Sequence, residues 1–399
     1  MPDIQFKESM VLDKQPDTFP IVRYIEARGN QREIGRKLAQ LARDRYGIKL
    51  ARNPSPDFGI AHYAYLKKNY PGLLERARGV MDVYGLKEDD PAIDATVLNY
   101  GMMDYGCSMA YFPGKLTENG HVMSVRNMDN GLGSLSEWMG RPRQPGEKDV
   151  YQEVYVFKTV PKGGYASLFL SVIDLMGGPA DGINEHGLSM YVLTERGAPM
   201  NLVKPSGNRE VGLSCLQILG LVLETCRNCA EAKVALMTNK VYYVNKGAHY
   251  LVGDAQGNSF IFEIDQLDGQ AYIEDGNGKT QILTNNTIWK MPPLDKLPAT
   301  FEDVYDPLNR YRILYQEFNQ PGKTKYSETD MSASIEKVFP KKPTGALGGP
   351  ALELRPLWSV VYDMTSLTMK ARFWLKDTAP DSSGNPGLVM SKWYDFSLR

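Results

Sequence analysis

Asp104-Tyr105-Gly106-Cys107-Ser108-Met109-Ala110-Tyr111-Phe112 is the stretch at which the texture of the chain changes. Upstream of it the residues read as helical. Ile34, Leu38, Leu41 and Ala42 recur at helical spacing and place one apolar stripe on a helix ending near Gly47. Pro71 opens a second helix, with Leu73, Ala77, Val80, Met81 and Tyr84 on one side and Gly85 as its stop. A third helical segment is read from Pro91 through Ile93 and Val97 toward Gly106.

Downstream, short β-branched and aromatic runs alternate with turn residues, which predicts strands. They are CSMAYF (107–112), HVMSVRN (121–127), VYQEVYVFKTV (150–160), ASLFLSVI (166–173), GLSMYVLT (187–194), HYLVGD (249–254), SFIFEI (259–264), QILTN (281–285), LWSVVYD (357–363) and TMKARFWL (368–375). Glu118-Asn119-Gly120 and the stretch from Asp254 to Asn258 carry hairpin signals. A helical block over Val211 to Met237 and another helix from Pro307 lie among these runs, while residues 340–351 and 377–387 read as surface loops. Strand runs bracketing helices imply an α+β fold of antiparallel sheets covered by helices, because each sheet face must bury its apolar side.

Composition narrows the function classes. With 42% hydrophobic and 10% aromatic residues the 399-residue chain has ample material for a core. Forty-six basic against 47 acidic residues give a net charge of -1, which offers no electrostatic footprint for nucleic acid or an anionic membrane. The expected partner is a small molecule, with self-association left open. Residues 1–20 have no apolar core behind a basic end, and Val211 to Leu223 is interrupted by Ser214, Cys215 and Gln217. The expectation is a chain without membrane insertion, cytoplasmic as the sequence stands and exported if a signal was removed. Four cysteines are too few for a disulfide scaffold.

Cys107 gains meaning from the residues downstream of it. The turn at Glu118-Asn119-Gly120 pairs its strand with the one that ends at Arg126-Asn127-Met128-Asp129, returning Arg126 and Asp129 to its neighbourhood. A guanidinium lowers a thiol pKa, and a carboxylate orients an amine. None of the four histidines sits in a triad signal. If Cys107 becomes a chain terminus, its own α-amine supplies the base, since such an amine titrates near ~7.7–8.0. The same thiol can create that terminus by attacking the Gly106 carbonyl, where glycine suits both the missing Cβ and strained backbone angles.

These residues resemble the N-terminal-nucleophile cysteine hydrolases, the superfamily of choloylglycine hydrolase, penicillin V acylase and acid ceramidase. The sequence looks closest to the acyl-coenzyme A:6-aminopenicillanic acid acyltransferase branch. Ile21-Val22-Arg23-Tyr24-Ile25-Glu26, Gly29 and Glu33-Ile34-Gly35 are similar to that branch's prosegment. Asp181-Gly182-Ile183-Asn184-Glu185-His186-Gly187-Leu188, His249-Tyr250-Leu251-Val252-Gly253-Asp254, Leu283-Thr284-Asn285-Asn286, Asn309-Arg310-Tyr311 and Ser359-Val360-Val361-Tyr362-Asp363 resemble later family segments in the family's order.

The resemblance implies a four-layer αββα sandwich of two antiparallel sheets. It implies a helical prosegment over residues 1–106 and a catalytic core over 107–399, with self-cleavage between Gly106 and Cys107. Cys107 would be the nucleophile, with Arg126 and Asp129 beside its thiol and α-amine, and Arg310 supporting the cysteine end. Asn285 would donate to the oxyanion, a contribution of about 2.7–4 kcal/mol where such donors have been removed. Seven residues after Gly187, where the family often carries Asn or Tyr, stands Thr194, so a backbone N–H is expected as the second oxyanion donor. Arg126 stands where the acyltransferase branch often has Gln and is similar to the hydrolases.

The implied activity is hydrolysis of a linear carboxamide through a Cys107 thioester, without metal or organic cofactor. The alternatives are an acyl-coenzyme A-dependent N-acyltransferase and a binding or scaffold relative that does not cleave. Other motifs carry less. Cys226-Arg227-Asn228-Cys229 has no second cysteine pair or nearby histidine for zinc, and Asn285-Asn286-Thr287 is a sequon at a strand end. Gly322-Lys323-Thr324 lacks the preceding glycine of a phosphate loop, because that position is Glu317.

Overall fold

Every residue of Gly106–Phe112 and of Met123–Gly131 is buried, so these two strands are covered on both faces. They pair antiparallel in the register Gly106↔Asp129, Cys107↔Met128 and Met109↔Arg126. The structure, a computed structural model, describes all residues except 1–3, 100–105, 139, 173, 177, 196–210, 243–246, 266–268, 302–304, 341–352, 383 and 385.

The paired strands lie inside a sheet ordered Gln281–Leu283, Gly106–Phe112, Met123–Gly131, Leu354–Asp363 and Thr368–Pro380, the last of which also pairs with Pro386–Met390 and Tyr394–Ser397. A second, larger sheet runs Ile4–Leu12, Ile21–Gly29, Glu153–Pro161, Ser167–Ser171, Asp181–Asn184, Ser189–Glu195, Gly247–Gly253, Ser259–Ile264 and Ala271–Asp275. The fold is thus mixed α/β with two large sheets.

Side-chain periodicity explains how the sheets meet, since alternate residues of a strand face opposite sides. Tyr111 reaches the larger sheet, its hydroxyl donating to the carbonyls of Asp254 and Asn258 at 3.0 Å each. Ser124 bonds the Tyr191 hydroxyl and Tyr362 donates to Asp181, both across the same gap. The alternate residues Ala110, Phe112 and Val125 pack instead with Leu314, Phe318, Met331 and Ile335 of helices Pro307–Glu317 and Glu328–Glu336. Phe112 and Phe318 meet edge to face at 4.8 Å, the geometry that the ring quadrupole favours.

Helices Gln31–Tyr46 and Pro71–Tyr84 pack on one another. Gly35 and Gly79 permit this approach, because a Cβ on either would stand within 2.1 Å of a backbone carbonyl of the other helix. The pair is tied to helix Gln217–Thr225 by buried polar groups. Arg76 forms an ion pair with Glu224 and donates to Gln31 at 2.6 Å, and Gln31 in turn donates to Glu224 at 3.1 Å.

Most strands read from Cys107 onward are present, but the opening residues are not simply helical. Ile4–Leu12 and Ile21–Gly29 form a hairpin at the margin of the larger sheet. Ile21–Gly29 runs parallel to Glu153–Pro161 through nine paired positions, so that sheet is not purely antiparallel. A parallel pair needs a long crossover, and the whole cysteine hairpin lies between these strands. The first strand is a charged, largely exposed edge, a common way for an edge to resist mispairing. Its polar alternation hides the strand signal.

Three other readings change. Pro91 through Val97 is not a helix: Ile93–Asp94 pairs with Ala51–Arg52, and Asn53 donates to the carbonyls of Pro91 and Ile93. The block over 211–237 contains two helices, Gln217–Thr225 and Cys229–Thr238, the second capped by Asn228 accepting from the Glu231 N–H at 3.0 Å. The loop read over 377–387 is flanked by paired strand, with Asp377 opposite Leu388 and Pro380 opposite Pro386. Of the loop read over 340–351, residues 341–351 lie outside the described residues.

Removing one partner of a buried ion pair leaves an uncompensated charge, at a cost of about 3–5 kcal/mol. Arg76→Ala should therefore lower the unfolding free energy by about that amount in urea denaturation, whereas the double change Arg76→Met with Glu224→Leu should be nearly neutral.

Candidate active site

The hairpin register places Arg126 two positions from Met128, the residue opposite Cys107. That makes Arg126 a diagonal same-face neighbour of the cysteine, a separation that a long side chain spans. Its Nη2 donates to Cys107 Sγ at 3.3 Å and to the Val192 carbonyl at 2.9 Å. Its Nη1 donates to the Ala180 carbonyl at 2.8 Å and pairs with Asp181. Cys107, Arg126 and Asp181 are all 0% exposed.

The other groups arrive from distant parts of the chain. Asn285 comes shortly after the strand Gln281–Leu283, which pairs with the cysteine strand. Its Oδ1 accepts from the Cys107 backbone N–H at 2.9 Å and from Arg310 Nη2 at 2.8 Å. Its Nδ2 donates to the Thr194 carbonyl at 2.7 Å. The Asn285 amide thus holds Cys107 N on one side and the larger sheet on the other. Thr194 enters the site through that carbonyl.

Arg310 lies on the helix that Asp306 caps by accepting from the Leu308 and Asn309 N–H groups. Arg310 is 1% exposed and turned inward. Its Nη1 donates to the Cys107 carbonyl at 2.5 Å and to Ser108 Oγ at 2.7 Å, while Nε donates to the Tyr305 carbonyl at 3.0 Å.

Asp129 sits opposite Gly106, one residue out of phase with the thiol, and its carboxylate accepts from Asn127 and from the Tyr305 hydroxyl. Among the described residues no hydrogen bond joins it to Cys107. The structure therefore gathers Cys107, Arg126, Asn285, Arg310 and the Thr194 carbonyl directly, with Asp129 behind Gly106.

Two electrostatic outcomes differ from the sequence expectation. Burial pushes the Cys107 thiol up, outweighing the pull of the Arg126 guanidinium. Burial also raises Asp129 to about 7, against the opposing influence of Arg310, Tyr305 and Asn127. The group poised near neutrality is the carboxyl rather than the thiol.

Gly106 brings a third correction. It lies in an extended strand, and the space beside it accounts for glycine there. A Cβ at this position would stand 2.2 Å from the Tyr305 hydroxyl. Tyr305 and Asp181 are site residues to which sequence reading assigned no role. Asp181 lay inside a recognised family segment, but no spacing rule marks Tyr305. Cys226 and Cys229 are buried at a helix junction away from these contacts.

Residues 134–328 match the model of the family described as acyl-coenzyme A:6-aminopenicillanic acid acyl-transferase. Over those residues the chain carries that family's pattern. The match includes Thr194, Asn285 and Arg310 and begins after Cys107, Arg126 and Asp129. No curated protein matches the chain.

Among solved structures, penicillin V acylase from Agrobacterium tumefaciens is 19% identical with a TM-score of 0.44, covering 71% of this chain and 85% of its own. A mutant conjugated bile acid hydrolase from Clostridium perfringens is 14% identical with a TM-score of 0.47, covering 73% and 92%. The Caenorhabditis elegans N-acylethanolamine-hydrolyzing acid amidase ortholog is 15% identical with a TM-score of 0.42, covering 65% and 93%. The acyl-transferase family and these neighbours are enzymes. No helix of the described residues is long and apolar enough to cross a membrane.

Because folding raises the proton affinity of Asp129, its contribution to stability is full below the unfolded carboxyl pKa, about 3.9, and is lost as pH rises through its folded value. In a Cys107→Ala background, Asp129→Asn should abolish this component: the stability difference between the two chains should change across about pH 4 to 7 and flatten outside it. Urea titrations over that range measure it.

Proposed function

We propose that the chain is a self-processing N-terminal cysteine amidohydrolase with a four-layer αββα architecture, in which residues 1–106 are the prosegment. The observation that carries this reading is the convergence of separate groups on one residue. Arg126 contacts the Cys107 sulfur, Asn285 its nitrogen and Arg310 its carbonyl oxygen. A structural cysteine needs none of these partners, and three polar side chains brought to one buried residue cost desolvation.

The chemistry is built on those contacts. Cys107 Sγ adds to the Gly106 carbonyl carbon, the C–N bond breaks, and the proton from the thiol ends on the departing Cys107 nitrogen. Asp129, paired with Gly106 and poised near neutrality, is suited to hold that proton in transit. Water then hydrolyses the thioester, leaving a Gly106 carboxylate and a free thiol. The new α-amine remains where Asn285 Oδ1 already accepts, so nucleophile and base belong to one residue.

In turnover the thiol takes the acyl group of a linear carboxamide, releases the amine and passes the acyl group to water. Thr194 and Asn285 lie on the side of Cys107 facing the larger sheet, where an oxyanion donor is needed. Asn285 Nδ2 carries two hydrogens, so its bond to the Thr194 carbonyl does not by itself bar donation to the oxyanion. The second reading, acyl transfer to an amine from acyl-coenzyme A, is favoured by the description of the matching family.

Intact mass tests the first step. Incubated wild-type chain should give fragments 1–106 and 107–399, whereas full-length chain alone after long incubation would sink self-processing. Cys107→Ala should abolish both cutting and turnover. Arg126→Leu should reduce acyl-amide turnover by about 100-fold or more, the scale of a lost transition-state contact. Release of free acid without coenzyme A identifies the hydrolase, and product formed only with acyl-coenzyme A identifies the transferase.

A further inference from the structure

Tyr305 lies at the foot of the helix Pro307–Glu317 and is 5% exposed. Its carbonyl accepts from Arg310 Nε at 3.0 Å, and its ring lies 4.2 Å from the Arg310 guanidinium, within cation–π range. Its hydroxyl donates to Asp129. The remaining nitrogens of the same Arg310 hold the Cys107 carbonyl, Ser108 and Asn285. Tyr305 and the cysteine are therefore parts of one rigid hydrogen-bonded unit.

The hydroxyl also fills the space in which a side chain on residue 106 would stand. A Cβ there would lie 2.2 Å from the Tyr305 oxygen, 3.2 Å from its Cζ and 3.2 Å from Asp129 Cβ. Contacts as short as the first force something to move. The strand cannot shift alone, because Cys107 N and O are held by Asn285 and Arg310. Tyr305 cannot shift alone either, because Arg310 holds it.

We propose that Tyr305 is a positioning residue for self-cleavage: it holds Asp129 behind the junction and restricts residue 106 to glycine. The inference rests on the reading of Gly106–Cys107 as a bond the chain cuts itself. With glycine in place, Tyr305 and Asp129 form a wall against which the Gly106 carbonyl is kept in reach of the thiol. With any larger residue, that wall pushes the carbonyl away. The covalent step is unchanged: sulfur adds to the Gly106 carbonyl carbon, the bond to Cys107 N breaks and that nitrogen takes up the thiol proton.

A sign inversion separates positioning from mere structure. The full-length chain, Gly106→Ala, Tyr305→Phe and the double variant are followed by intact mass over time, with Cys107→Ala as the uncut control and circular dichroism melts as the folding check. Tyr305→Phe should slow cutting about 10-fold by releasing Asp129, and Gly106→Ala should slow it by about 100-fold or more, the scale of an ångström-sized misplacement. In the Gly106→Ala background, however, Tyr305→Phe removes the clashing oxygen and should speed cutting at least about 10-fold.

Tyr305→Phe slowing both backgrounds, or leaving both unchanged, overturns the inference. If Gly106→Ala does not fold, Tyr305→Phe and Tyr305→Leu in the chain that keeps Gly106 take its place. Cutting rates that fall in the order Tyr, Phe, Leu with unchanged melting support positioning, and equal rates overturn it. A wild-type chain that never cuts overturns the reading of the junction itself, whereas a wild type that cuts without the sign inversion overturns only the role of Tyr305.

Discussion

The Arg126 guanidinium crosses from one sheet to the other with no exposure to water, and the rest of the site is arranged around it. An isolated buried cation would cost many kcal/mol. Here the carbonyls of Ala180 and Val192 and the carboxylate of Asp181 accept hydrogen bonds from its two Nη groups, and Tyr362 donates to the second oxygen of Asp181. These bonds join strands of the larger sheet to the hairpin that carries the cysteine. The spacing between the sheets and the position of the thiol are therefore set by the same side chain.

The neighbouring Arg310 makes a second such junction, from the outer helix to the backbone of Cys107. Two guanidiniums thus grip one residue, one at its sulfur and one at its carbonyl. Neither makes the thiol acidic, because the desolvation of a thiolate outweighs the attraction of either charge. The arrangement fixes the position of the thiol without lowering its pKa.

How much of this was legible in the sequence depends on how local its cause was. The strands from Cys107 onward announce themselves through β-branched and aromatic runs, and the Asn119-Gly120 turn predicts the hairpin that brings Arg126 to the thiol. Asn285 and Arg310 stand 178 and 203 positions from Cys107, beyond any periodicity, and only resemblance to a family pointed to them. Tyr305 had no signal at all, since its role comes from a gap of atomic size beside Gly106. The opening strands escaped because a mixed polar edge reads much like an amphipathic surface, and the parallel pairing of Ile21–Gly29 involves a partner more than a hundred residues away. The direction of the thiol shift needed its burial, which no pattern states.

That parallel pairing has a consequence for how the molecule is assembled. Ile21–Gly29 is hydrogen-bonded along its whole length to Glu153–Pro161, on the far side of the Gly106–Cys107 junction. While the chain is continuous, closing this contact is a unimolecular event, limited by loop entropy that grows only slowly with length. If the proposed cut is made, the same contact becomes an association between two chains, with a second-order rate and a dependence on concentration. A protein so cut would fold once, as a single chain, and afterwards persist through slow unfolding rather than through its capacity to refold.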